Sequence, residues 1–151
     1  MNIGGLCHRN PITLGRGDEL NKAAQLMRAH HIGYLVVIEA DANDGRQRPI
    51  GVLTDRDIVV TVVARQIDPQ TLRVGDIMTP QPVTVSEADS VEQTLREMRR
   101  IGVRRLPVVG QHGELVGIVS IDDVLDFLAG QLQNLAASIR NERLIEGTMR
   151  P

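Results

Sequence analysis

The chain has 151 residues, which suits one domain or two very small ones. Hydrophobic residues make up 42% and charged residues 24%, near the globular norm, which excludes a disordered tail or a fibrous repeat. Seventeen basic and 19 acidic residues leave a net charge of −2, and the two aromatics, Tyr34 and Phe127, offer little for bases to stack on. No nucleic-acid partner is expected.

Lys22 is the sole lysine, so a Walker-type phosphate loop is excluded, because that loop needs its lysine after a glycine-rich turn. Apolar runs such as Tyr34–Ile38 fall far short of the roughly 18 residues that cross a bilayer. The first residues lack the basic and apolar stretches of a signal peptide. Cys7 stands alone and cannot form an internal disulfide. A cytoplasmic protein without a membrane partner is expected, its core built from Val, Ile, Leu, Ala and Met.

In chain order, Ile12-Thr13-Leu14 predicts a short strand. Asp18 can cap a helix in which Leu20, Ala23, Ala24 and Met27 share one face. Leu35–Ile38 and Ile50–Leu53 predict strands buried on both faces, with the polar loop Glu39–Pro49 between them. Thr54 then opens a helix through Ile58, Val59 and Val62. Asp68-Pro69-Gln70 reads as a linker, and Pro80 and Pro82 hold the following segment extended. The pattern then returns as Val83–Val85, Val91–Met98, Leu106–Val109, Leu115–Val119 and Ser120–Leu128.

The return is a repeat. At an offset of 71, Ile3–Ile38 lies over Val74–Val109 without a gap, matching Gly4 to Gly75, Pro11 to Pro82, Asp18 to Asp89 and Met27 to Met98. At an offset of 66, Ile50-Gly51-Val52-Leu53-Thr54 lies over Val116-Gly117-Ile118-Val119-Ser120. The expected fold is α/β (α+β): two β-α-β-β-α units related by a pseudo-twofold axis and packed sheet to sheet. Units at 1–68 and 69–130 are expected, with a C-terminal helix and tail at 131–151.

Val74-Gly75-Asp76-Ile77-Met78-Thr79-Pro80, Met98 with Val103-Arg104-Arg105-Leu106-Pro107-Val108-Val109, and Gly51-Val52-Leu53-Thr54-Asp55-Arg56-Asp57-Ile58 carry a resemblance. Together they resemble tandem cystathionine-β-synthase (CBS) domains, the pair called a Bateman module, over about residues 3–128. The resemblance implies a regulatory module rather than an enzyme. It implies two clefts between paired sheets for AMP, ADP, ATP, S-adenosylmethionine or NAD, with no obligatory cofactor. It also implies stacking into a homodimer and output through a separate effector protein.

By that resemblance Asp57 and Asp123 hold ribose hydroxyls, with Thr54 and Ser120 adding hydroxyl contacts. Thr54-x-x-Asp57 and Ser120-x-x-Asp123 are equally helix capping boxes, and both roles can coexist. The alternative to ligand binding is therefore a ligand-free scaffold in which these motifs only cap helices. Phosphates need positive charge or helix N-terminal amides, and Arg56 for one cleft and Arg104 or Arg105 for the other are the candidates. Adenine walls are expected from Ile12 or Val83 and the strands at Leu35 and Leu106, although these residues also suit plain core. Tyr34 either stacks on a base or packs between the halves. Gly51 and Gly117 permit close approach of a ligand or of the neighbouring half.

Other chemistry is missing its parts. Cys7, His8, His30 and His31 lack the paired spacing of a zinc site, and Cys7 falls on an apolar position of the repeat. Ser120 lacks the Gly-x-Ser-x-Gly elbow. Beyond the repeat, Val124, Leu125, Leu128, Leu132, Leu135, Ala136 and Ile139 keep one apolar stripe. A second chain or a fold back onto its own chain are the two covers expected for it.

Overall fold

The structure is a computed structural model that describes residues 1–149. The last two residues of the expected tail lie outside them. After a 3-10 turn at Ile3–Gly5 come β1 (His8–Arg9), β2 (Thr13–Gly15), α1 (Leu20–His30), β3 (Tyr34–Ala40) and β4 (Gln47–Thr54). Next are α2 (Asp55–Ile58), continued by a π-helical turn at Val59–Val63, then α3 (Val74–Ile77) and β5 (Thr79–Pro80). The second half holds β6 (Val85–Ser86), α4 (Val91–Ile101), β7 (Arg105–Val109), β8 (Leu115–Ser120) and α5 (Ile121–Met149).

Two four-stranded sheets result, ordered β2-β3-β4-β5 and β6-β7-β8-β1. Each has a parallel first pair and antiparallel second and third pairs, so the repeat is one topology used twice. Its outer strands are exchanged. His8 and Arg9 of the first repeat pair with Ile118 and Gly117 of the second. Thr79 and Pro80 of the second pair with Val52 and Gly51 of the first.

The cores follow the exchange. Leu14, Leu20, Ala23, Met27, Leu35, Val37 and Leu53 pack with Val74 and Met78 from across the linker. Val85, Met98, Leu106, Val108 and Val119 pack with Ile3, and Leu6 and Cys7 lie against them. Ile3 and Val74 are fully buried, and each contributes roughly 1.5–3 kcal/mol to a half it does not belong to in sequence. The units expected at 1–68 and 69–130 thus trade their leading segments.

Side chains alternate across a strand, so Val36 lies on the face opposite Leu35 and Val37. Val36 is fully buried yet belongs to neither core, and its repeat equivalent Pro107 is also buried. These two positions face the junction between the sheets, where β4 and β8 approach each other.

Three local readings change. Asp18 does not cap α1, whose N-cap is Glu19 without a side-chain bond. Its carboxylate accepts from the Gly15 amide at 2.8 Å, closing the strand-to-helix turn, and Asp89 does the same for Ser86 at 2.9 Å. The loop at Glu39–Pro49 is shorter than expected, because β3 and β4 run on as a paired ribbon to Ala40 and Gln47. The stripe on α5 is not covered by its own chain: Leu128, Leu132, Leu135 and Ile139 are exposed, as are all described residues from Gln131 onward.

Gly51 and Gly117 serve the exchange. A Cβ on Gly117 would lie 2.6 Å from the His8 carbonyl oxygen and 2.8 Å from Cys7 Sγ, and one on Gly51 would strike the Met78 side chain. Gly117→Ala must displace the β1 backbone and should cost about 1–3 kcal/mol by overpacking. Hydrogen exchange should show the amides around Cys7 losing protection first. Unchanged stability and protection would mean that β1 is not held against β8.

Candidate functional site

Each β-strand that ends a repeat delivers its carboxylate through a capping box. Thr54 and Ser120 end β4 and β8 in extended conformation, and the helix that follows leaves its first amides unpaired. The Thr54 amide donates to Asp57 Oδ2 at 2.8 Å, while Thr54 Oγ1 accepts from the Asp57 amide at 3.1 Å. In the second half the Ser120 amide and hydroxyl both donate to Asp123 Oδ2 at 2.7 Å, and Ser120 Oγ accepts from the Asp123 amide at 3.2 Å. One oxygen of each carboxylate is thereby committed to the cap.

The other oxygen differs between the halves. Asp123 Oδ1 lies 2.8 Å from His8 Nε2, and the histidine side chain is 80% exposed while the carboxylate is 13% exposed. His8 arrives there because β1 belongs to the second sheet. It also lines a cavity of about 430 Å³ between the sheets, shared with Pro11, Ile12, His31, Tyr34, Arg105 and Ile118. That volume is within the range of small-molecule sites.

The cavity gathers Ile12, Tyr34 and Arg105 of the expected residues, with Asp123 and Ser120 beside its His8 wall. Ile12 belongs to the first repeat and Asp123 to the second, so the site is assembled across the repeats. Thr54 is opposite Tyr34 in the β3–β4 ladder, and Ser120 is opposite Arg105 in β7–β8. Val83, the equivalent of Ile12, packs half-buried against the second core and does not line this cavity. Arg56 is exposed on α2, and Arg104 is 3.4 Å from Asp122; neither lines it.

Two expected walls are elsewhere. Leu35 and Leu106 are on the helix-facing sides of their sheets, fully enclosed in the two cores, so neither can touch a ligand in the cavity. Sequence reasoning also missed His8, Arg9, Pro11, His31 and Ile118 as lining residues. No sequence signal marked them: Asn10 and Gln81 occupy the same repeat position, but their left-handed backbone, φ 55° and 50°, is evident only in the structure, where the chain crosses between sheets.

Tyr34 sits on the sheet junction at the edge of the cavity. Burial pushes its phenol well above the ordinary tyrosine range, and the Arg105 charge offsets part of that shift. Cys7 is half-buried against the second core, and burial raises its thiol too, which disfavours the reactive thiolate.

The family model for the CBS domain matches residues 3–64 and again 74–130. The chain belongs to the CBS domain family. It is a CBS pair, and the exchanged sheets are the fold of that pair. Hypoxic response protein 1 of Mycobacterium tuberculosis is 37% identical over 124 residues, 82% of this chain and 78% of that protein. A crystal structure of Hypoxic Response Protein I with two coordinated zinc ions superposes with a TM-score of 0.71 at 32% identity, covering 83% of this chain and 98% of that one. Among the described residues here, no cluster of three or more His, Cys, Asp or Glu is placed to hold a metal. A CBS domain protein from Pyrobaculum aerophilum complexed with AMP superposes with a TM-score of 0.70 at 29% identity, over 82% of this chain and 89% of that one. An uncharacterized protein of Methanopyrus kandleri is 34% identical over 83% of this chain, which spans 61% of that protein. No described helix is long and apolar enough to cross a membrane.

Tyr34 is the only tyrosine, so phenolate absorbance reports it alone. In the folded protein it should ionise above the ordinary value of about 10. Since the shift is upward, its contribution to stability is complete below the unfolded value and is lost as pH rises through the folded one. Ionisation of the folded protein at the ordinary value would mean that Tyr34 is solvated.

Proposed function

We propose that this CBS pair is a regulatory module that takes an adenosine-containing ligand between its sheets and signals through its ligand-bound shape. The carrying observation is the inter-sheet cavity with a capped carboxylate at its rim. The AMP complex of the Pyrobaculum aerophilum relative supports the same reading. Asp123 and Ser120 take the ribose at this cleft, Ile12 and Tyr34 flank the base, and Arg105 meets phosphate. The opposite cleft, generated by the repeat, uses Asp57 and Thr54 for ribose, Val83 for the base, and Arg56 or Arg104 for charge. No catalytic step is assigned to the chain, and its output passes to a partner protein in the cytoplasm.

The opposing reading is a ligand-free scaffold, and one observation favours it: both Ser/Thr-x-x-Asp motifs are already engaged as caps. Asp57→Asn and Asp123→Asn separate the two. An asparagine carbonyl still accepts the cap amide, so apo stability should fall little, while AMP or ATP affinity at the matching cleft should weaken by about 1.5–3 kcal/mol. Calorimetric titration and thermal melts measure both. Lost apo stability in the variants, with no AMP or ATP binding by the unmodified protein, would establish the scaffold.

The module acts as a homodimer. Val59, Val60 and Val63 on the π-helical turn and Leu125, Leu128, Leu132, Leu135 and Ile139 on α5 are all exposed in one chain. An apolar surface of this extent is the mark of an interface, and closed twofold dimers are the commonest assembly. Leu132→Asp with Leu135→Asp should convert the dimer to monomer in light scattering while leaving the cavity intact. An unmodified protein that is monomeric at tens of micromolar would end the assembly reading.

A further inference from the structure

We infer that His8 is a cover on the Asp123 carboxylate, so that this cleft takes a ribose only after the imidazole has swung aside. The inference rests on the adenosine reading above and adds the residue that sets how readily this cleft fills.

The cover follows from placement. His8 lines the inter-sheet cavity and Asp123 does not, although His8 Nε2 and Asp123 Oδ1 are 2.8 Å apart. The imidazole therefore stands between the carboxylate and the space that a ligand enters. Hydrogen bonding completes the closure. Asp123 Oδ2 accepts from the Ser120 amide and from the Ser120 hydroxyl, and Ser120 Oγ in turn accepts from the Asp123 amide. The oxygen that the cap leaves over is the one that His8 holds. A ribose diol needs a carboxylate with acceptor capacity to spare. Here both oxygens and the serine hydroxyl are already engaged within the protein.

The other half has the same cap and no cover. The Thr54 amide donates to Asp57 Oδ2, and among the described residues Asp57 Oδ1 makes no hydrogen bond or ion pair. Thr54 Oγ1 accepts from the Asp57 amide, and its own hydrogen is not turned onto the carboxylate. The repeat puts Thr79 in the place of His8, paired with Val52 on β4 as His8 is paired with Ile118 on β8. The two capping boxes match in backbone geometry. The residue exchanged in from the opposite half decides whether the carboxylate is covered.

The hold on the cover is weak. The backbone of His8 is fixed, because its carbonyl oxygen lies against Gly117 with no room for a Cβ. Its side chain is 80% exposed and, among the described residues, pairs with Asp123 alone. An exposed pair of this kind biases an equilibrium by a factor of about two to five. A ligand that needs the uncovered form loses apparent affinity in proportion to the covered fraction. His8 therefore tunes the ribose contact of this cleft and does not abolish it.

The test compares AMP with 2′,3′-dideoxy-AMP, which has the same base and phosphate and lacks both ribose hydroxyls. Each is titrated calorimetrically into the full chain carrying Asp57→Asn, which weakens the ribose contact of the other cleft, with and without His8→Thr. Threonine is the residue of the second repeat at this place and suits a strand, so the melting temperature without ligand should hold. The ratio of AMP to dideoxy-AMP affinity should rise about two- to fivefold in His8→Thr, with dideoxy-AMP affinity changed little. His8→Ala should give the same rise. Adding Asp123→Asn should remove it, because the gain runs through that carboxylate. An unchanged or lower ratio in both His8 variants, or a rise that survives Asp123→Asn, would overturn the cover and leave the adenosine reading in place. Failure of both nucleotides to bind the unmodified chain and the variants would remove the adenosine reading and the cover with it.

Discussion

The short backbone ladders that carry β1 onto β8 and β5 onto β4 hold the rest of the molecule in place. Without them each sheet has three strands and an open edge, and each core lacks an enclosed residue, Ile3 in one and Val74 in the other. A half of about 65 residues buries little surface by itself. The exchange repairs both deficits and makes each half a structural requirement of the other. It also draws the connecting segments, residues 10–12 and 81–83, across the junction between the sheets, and the cavity lies along the first of them. The cavity is therefore a by-product of the way the halves are joined.

One of the carboxylates that fix the local chain direction, Asp123, stands beside the cavity through its contact with His8. A capping box requires an acceptor three residues past the end of a strand, and only one oxygen of Asp57 or Asp123 meets that need. The second oxygen takes no part in the cap, and in Asp123 it lies 2.8 Å from His8 Nε2. A cap therefore fixes the position of the carboxylate before any ligand arrives.

A symmetric scaffold carries asymmetric chemistry. Val36 and Pro107 fill equivalent places at the junction, and Asp18 and Asp89 close equivalent turns. The positions around the cleft diverge instead: His31 against Gly102, His8 against Thr79, Tyr34 against Arg105. The backbone tolerates that divergence because these positions are at strand ends and caps, where packing constrains a side chain less than it does at Leu35 or Leu106.

Much of the fold was legible in the sequence, because periodicity and repetition are properties of the chain itself. The fixed offset gave the paired units, the apolar runs gave β3, β4, β7 and β8, and Ser/Thr-x-x-Asp gave the caps of α2 and α5. Partner choice was not legible. A two-residue strand such as His8–Arg9 carries no periodicity, and nothing in its composition says which sheet edge it will join. For that reason Ile12 could not be assigned to the carboxylate of the other repeat, and His8 and His31 read as stray histidines. Leu35 and Leu106 were open to either role until the strand alternation put them on the helix side. The sequence by itself determined the repeat, most of its core positions and the capping carboxylates, since repetition, periodicity and cap spacing are read along the chain. Only the tertiary structure decided which of those residues share a cleft, because that grouping is set by backbone hydrogen bonds between segments more than 100 residues apart, such as His8 with Ile118.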